Sequence, residues 1–65
     1  MPGALVDKME IANATEDIKA ALRKLGYKLD GHRICVMRII ADLFEVRYDY
    51  QYFGVWDASR KTFID

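Results

Sequence analysis

The chain has 65 residues with ten basic and ten acidic side chains, so its formal net charge is zero. A chain of this length is one domain, residues 1–65, and the surface it can bury gives only marginal stability. Zero net charge argues against a protein whose main partner is nucleic acid, because phosphate neutralisation needs a basic excess.

Short domains often gain stability from a disulfide, a metal ion or a partner subunit. Cys35 is the only cysteine and His32 the only histidine, which excludes an intrachain disulfide and a four-ligand zinc site. We therefore expect no metal and no cofactor, which leaves good packing or association with another chain as the source of stability. Cys35 itself is expected to be a buried small hydrophobe.

The sequence also indicates a compartment. The start of the chain does not have the pattern of a secretory signal, and its apolar runs are short, as in residues 34–37. A single unpaired cysteine fits a reducing environment. We expect a cytoplasmic protein that makes no membrane contact.

The first predicted element is an amphipathic helix over residues 15–25. Ile18, Leu22 and Leu25 recur with Ala21 at the spacing of one helix face. Start signals occur at residues 13–17, including a capping-box spacing, and Gly26 is suited to end the helix. Residues 1–12 are predicted to be a frayed arm or a backward extension of the helix, and a short edge strand is the alternative.

After Gly26 the composition changes to β-branched and aromatic residues. Residues 32–40 are predicted to form a buried strand, although residues 34–44 also show helical spacing. Both alternating sides of this strand are apolar except at Arg38. A strand that is apolar on both sides needs cover on both sides, and one helix covers only one face of a sheet.

The next segment is predicted to be a hairpin whose turn is Asp49–Tyr52. In that register one face carries Phe44, Val46, Tyr48, Phe53 and Val55 and packs under the helix. The other face carries Glu45, Arg47, Asp49, Tyr52, Gly54 and Trp56. Residues 57–61 form the next turn, and residues 62–65 return as a short strand.

These elements predict an α+β fold in which one N-terminal amphipathic helix packs on a three- to four-stranded antiparallel meander, giving two layers. The predicted contact surface is the sheet face away from the helix. Its candidate binding residues are Tyr52, Trp56, Arg47, Tyr50 and Arg38, and Arg47 is expected to lie near the Trp56 ring.

Signatures of catalysis are weak, because the four glycines are scattered and no nucleophile has an evident histidine–acid arrangement. The sequence favours a small non-enzymatic protein that acts through protein–protein contacts, as a homodimer. The alternative is a nucleic-acid-binding accessory domain that uses the same aromatic face with Arg33, Arg47, Arg60 and Lys61. A module whose role depends on a larger protein is a third interpretation.

Overall fold

A computed structural model of the chain describes residues 2–65. One helix, α1 (Pro2–Lys24), precedes four strands: β1 (Ile34–Ile40), β2 (Leu43–Tyr48), β3 (Gln51–Asp57) and β4 (Thr62–Phe63). The strands form one antiparallel sheet in the order β1-β2-β3-β4, with the helix on one side. This confirms the predicted two-layer α+β fold and its meander.

The helix contains the predicted residues 15–24 and extends back to Pro2. Residues 2–12 therefore form the backward extension that the sequence analysis offered for them, the edge-strand alternative is wrong, and Met1 lies outside the described residues. The capping signals at residues 13–17 do not mark the helix start, because the helix runs through them. Thr15 lies inside the helix, where its hydroxyl donates to the carbonyl of Ile11 one turn earlier at 2.7 Å.

The helix ends as the sequence predicts, at a glycine in the left-handed region. Gly26 has φ +94°. Its N–H donates to the Arg23 carbonyl, and the N–H of Tyr27 donates to the Leu22 carbonyl, each at 3.0 Å. This pair of bonds is a Schellman motif, which satisfies carbonyls that the helix end would otherwise leave without donors.

Residues 34–40 form a strand, as predicted, and the helical alternative is wrong. The β1–β2 hairpin closes through residues 41 and 42, and Ala41 takes φ +51° in this tight turn. The register shifts between Arg38 and Ile40, which leaves Ile39 as an extra residue near the end of β1.

The β2–β3 hairpin differs from its prediction by one residue. Its two central turn residues are Asp49 and Tyr50, both with positive φ, as a type I′ turn requires. Tyr48 pairs with Gln51, but Val46 pairs with Gly54, so β3 has one extra residue at Phe53. This bulge changes the facing of every later residue in β3.

Trp56 therefore lies in the core, and its prediction as an exposed residue is wrong. It pairs with Phe44 on the helix side of the sheet and is only 2% exposed. The expected contact with Arg47 is also wrong, because Arg47 lies on the other face. Val55, predicted to be in the core, turns to that other face instead.

The core is small and lies between the second half of α1 and the middle of the sheet. Its buried side chains are Ala14, Ile18, Leu22, Phe44, Val46 and Trp56. Ile18, Leu22, Phe44 and Val46 agree with the sequence prediction. Leu25 does not, because it follows the last residue of the helix and is 62% exposed. Tyr48 and Phe53 are half-buried at the edge of the core, around the ring of Tyr27.

No helix within residues 2–65 combines the length and the apolar character needed to cross a bilayer.

Trp56→Ala should destabilise the fold by about 3–5 kcal/mol, since it removes the largest ring from a core of six residues. That loss is comparable to the whole stability of a small domain, so we expect an unfolded or molten chain by circular dichroism and urea titration.

Leu25→Ala is the matched control, because it removes a large but exposed side chain. It should change the free energy of unfolding by less than about 1 kcal/mol. A Trp56→Ala variant as stable as the unaltered chain would contradict this placement of the indole.

Candidate interaction surface

The helix covers one face of the sheet, and the opposite face has no covering element within residues 2–65. We call it the open face. The strand register places three cross-strand rows on it, because directly opposed residues project to the same side. The rows are Cys35–Arg47–Tyr52, Met37–Glu45–Val55 and Leu43–Asp57–Thr62.

Apolar side chains on this face concentrate at β1. Met37, Ile39 and Ile40 are 68%, 53% and 66% exposed, so three large hydrophobic residues of one seven-residue strand meet solvent. Leu43 and Val55 continue the apolar surface on the neighbouring strands. A contiguous apolar patch on a small protein is typical of an interaction site.

These apolar residues are not among the contact residues predicted from the sequence, which are aromatic and arginine side chains. A sequence signal for them exists, since residues 34–40 are apolar on both sides of the strand. That pattern predicts that both sides of β1 are covered, but it does not by itself mark β1 as the contact surface.

Arg47 and Tyr52 both lie on the open face, as the sequence predicted. They are also directly opposed across β2 and β3, a pairing that the predicted register does not contain. The Arg47 Nε lies 2.9 Å from the Glu45 carboxylate, so this charge is paired within the face. The Tyr52 hydroxyl donates to the Asp65 carboxylate, and this hydrogen bond is the main reason that the pKa of Tyr52 is raised. Both side chains are thus held by carboxylates of the same chain.

Tyr50 occupies the tip of the β2–β3 hairpin and is 69% exposed. Its φ of +68° is a conformation that side chains other than glycine, asparagine and aspartate rarely adopt. The guanidinium of Arg33 lies 5.5 Å from the centre of its ring, within cation–π range. Tyr50 is therefore exposed as predicted, but it belongs to a corner with Arg33 rather than to the open face.

The placement of Arg38 on the predicted contact surface is wrong. Its pairing with Phe44 turns its side chain to the helix side of the sheet. There it reaches Glu10 at 2.7 Å, lies 2.9 Å from an oxygen of Asp7, and covers the Phe44 ring at 5.1 Å. Arg38 thus fastens the first half of α1 to β1, and it is not available to a partner.

A second polar feature joins the start of β1 to the β2–β3 turn. The Asp49 carboxylate lies 2.6 Å from Nδ1 of His32 and accepts the Arg33 N–H at 3.0 Å. The His32 ring stacks on Tyr48 at a centroid distance of 5.2 Å. These contacts orient a histidine between an aspartate and an aromatic ring, at a corner the sequence did not identify.

This corner lines a surface depression of about 520 Å³, bounded by residues 31–33, 49 and 50. The depression is open and polar, and its lining residues include no serine, threonine or cysteine that the histidine could activate. Among the described residues, no three histidine, cysteine, aspartate or glutamate side chains are placed to hold a metal ion. The contacts of His32 and Asp49 therefore act as a structural clamp on the turn.

Comparison of the chain with protein-family models, with curated proteins and with solved structures finds no match. The case for an interaction surface therefore rests on the arrangement of the exposed residues on the open face.

The clamp predicts a pH dependence of stability. The hydrogen bonds from His32 and then from the Arg33 N–H lower the pKa of Asp49. A carboxylate whose folded pKa lies below its unfolded value of about 3.9 stabilises the fold above that value. This stabilisation is lost as the pH falls through the folded pKa.

Asp49→Asn should therefore lower the melting temperature at pH 5, and its difference from the unaltered chain should shrink as the pH falls through the folded pKa of Asp49. The pKa of Asp57 is also lowered, mainly by the Ser59 hydroxyl, so Asp57→Asn serves as a separate carboxylate control. An Asp49→Asn difference that stays constant from pH 5 to pH 2 would refute the clamp.

Proposed function

We propose that this chain is a non-enzymatic protein that acts through protein–protein contact, and that its partner is a second copy of itself. The observation that carries the proposal is the exposure of Met37, Ile39 and Ile40 on an uncovered sheet face. Covering this patch would bury apolar surface, which is the main driving force of stable association.

The surface area of the chain supports a missing partner. A folded monomer of 7.5 kDa is expected to expose about 4,250 Å². This chain exposes 4812 Å², roughly 550 Å² more than that expectation. A stable interface buries about 800 Å² on each partner, so the excess is about two thirds of that area.

Charge favours self-association over an oppositely charged partner. The net charge is zero, so two copies meet without long-range repulsion. On the open face the Arg47 charge is already paired with Glu45. The patch therefore offers an apolar, locally neutral surface, which suits a partner with the same properties.

The nucleic-acid alternative has less support. Its stacking residue Trp56 lies in the core. Arg47, Arg60 and Lys61, three of its four basic residues, each lie within 4 Å of a carboxylate of the same chain. Phosphate binding would have to compete with these contacts. Titration with a labelled single strand at two salt concentrations tests it, because phosphate binding falls steeply with added salt.

Met37→Lys tests the proposed homodimer. A lysine at this exposed position leaves the monomer fold unchanged but would place a charge in the apolar patch. We expect the dimer affinity to fall at least tenfold, or by about 1.4 kcal/mol, as measured by light scattering on a sizing column over a range of concentrations.

Leu25→Lys is the matched control, since Leu25 is similarly exposed but lies at the end of the helix, away from the open face. It should remain dimeric. A monomeric unaltered chain at millimolar concentration, or a Met37→Lys variant that associates like the unaltered chain, would overturn the proposal.

A further inference from the structure

The sheet has one long edge whose hydrogen-bonding groups have no partner strand. Within residues 2–65, β1 pairs only with β2, so its outer side is free along seven residues. The opposite edge differs, because β4 has only two residues and the chain end runs beside β3. There the Ile64 N–H donates to the Val55 carbonyl.

The direction of the free backbone groups follows from one hydrogen bond. The Asp49 N–H donates to the Arg33 carbonyl at 2.8 Å, so Arg33 directs its backbone toward β2. Alternate residues direct their groups to opposite sides of a strand. Ile34, Val36 and Arg38 therefore present their N–H and C=O groups at the free edge.

Natural proteins protect long sheet edges with lysine, proline, a bulge or a covering segment. Residues 34–38 contain no lysine or proline, and the only bulge comes after them, at Ile39. The single charge, on Arg38, is neutralised on the helix side by Asp7 and Glu10. This stretch is therefore competent to accept another strand.

We propose that β1 pairs antiparallel with β1 of a second copy, with the two Val36 residues facing each other across a two-fold axis. This inference rests on the proposed homodimer and specifies its geometry. Ile34 then lies opposite Arg38 of the other copy. Every backbone N–H and C=O group that residues 34–38 present at the free edge then has a hydrogen-bond partner in the other copy. The two sheets become one continuous eight-stranded sheet with both helices on the same face.

The second copy is favoured over another partner because the arrangement is self-complementary. A two-fold axis through Val36 uses the same three residues of each strand as donors and acceptors. On the open face, Met37 of each copy then contacts Cys35 of the other, so the edge pairing buries the part of the apolar patch that lies at the axis. The rest of the patch stays on the open face of the eight-stranded sheet.

The helix also lies at this edge. It touches the edge strand through Asp7 and Glu10, whereas Asp17 lies 3.7 Å from Lys61 on the β4 side. It therefore runs across the sheet from the β1 side. Val6 and Met9, which belong to this same part of the helix, are both more than half exposed.

The register makes a disulfide test possible. Cys35 lies opposite residue 37 of the other copy, with a Cα separation of about 4.5–5.5 Å, which is within disulfide range. Two Cys35 residues lie diagonally, about 7–8 Å apart, which is beyond that range. Met37→Cys should therefore form a disulfide-linked dimer when treated with oxidised glutathione, while the unaltered chain should not.

The crosslinked fraction is read on non-reducing gels, and light scattering on the same samples before oxidation gives the oligomeric state. Cys35→Ser/Met37→Cys is the matched control and should lose the crosslink, because two residues 37 are also diagonal. Cys35→Ser/Val55→Cys reports a face-to-face arrangement, since Val55 lies near the centre of the open face.

A dimer in which Met37→Cys fails to crosslink, or in which the Val55→Cys variant crosslinks instead, would overturn the edge pairing and leave the homodimer standing. A crosslink through Cys35 alone in the unaltered chain would overturn the Val36 axis in favour of a register shifted by one residue in each strand. A monomer by light scattering would overturn the homodimer itself.

Discussion

Six buried side chains hold the helix on the sheet. The largest of them, Trp56, reaches the core only because β3 has one residue more than the segment of β2 that it pairs with. The extra residue at Phe53 turns Gly54 and Trp56 toward the helix and Val55 away from it. Gly54 suits this position, since a Cβ there would lie 2.4 Å from the Asp65 carbonyl oxygen. The bulge thus decides which aromatic ring is core and which surface is left open.

The bulge also determines which residues make up the open face. Because Trp56 lies in the core, the open face carries Arg47 and Tyr52 without the indole ring, and both side chains contact carboxylates of the same chain. The exposed apolar surface then lies at β1, which is also the free edge of the sheet. The exposed apolar side chains and the unpaired backbone groups therefore lie together at β1. Because a partner strand would use both, this arrangement favours a partner strand over a ligand.

Arg38 shows how a single charge can hold the two layers in register. Its guanidinium lies on Phe44 and reaches Asp7 and Glu10 on the first half of α1, 28 residues or more away in sequence. The contact explains why the helix continues back past residues 13–15, where local capping signals predict a start. It also neutralises the one charge at the β1 edge, so the same residue supports the fold and leaves the edge open to pairing.

The sequence by itself determined the element types and much of the core. The spacing of Ile18 and Leu22 predicted the buried helix face, Gly26 predicted the helix end, and β-branched residues predicted β1, because these signals are local and depend only on chain neighbours. The tertiary structure decided the facing of Trp56, the role of Arg38, and which of the alternatives left open by the sequence is adopted by residues 2–12 and by residues 34–40. A bulge leaves the alternation of polar and apolar residues in the sequence unchanged, but it reverses the face of the sheet to which each later residue of the strand points. The contacts of Arg38 join segments that are distant in sequence, so no local pattern predicts them.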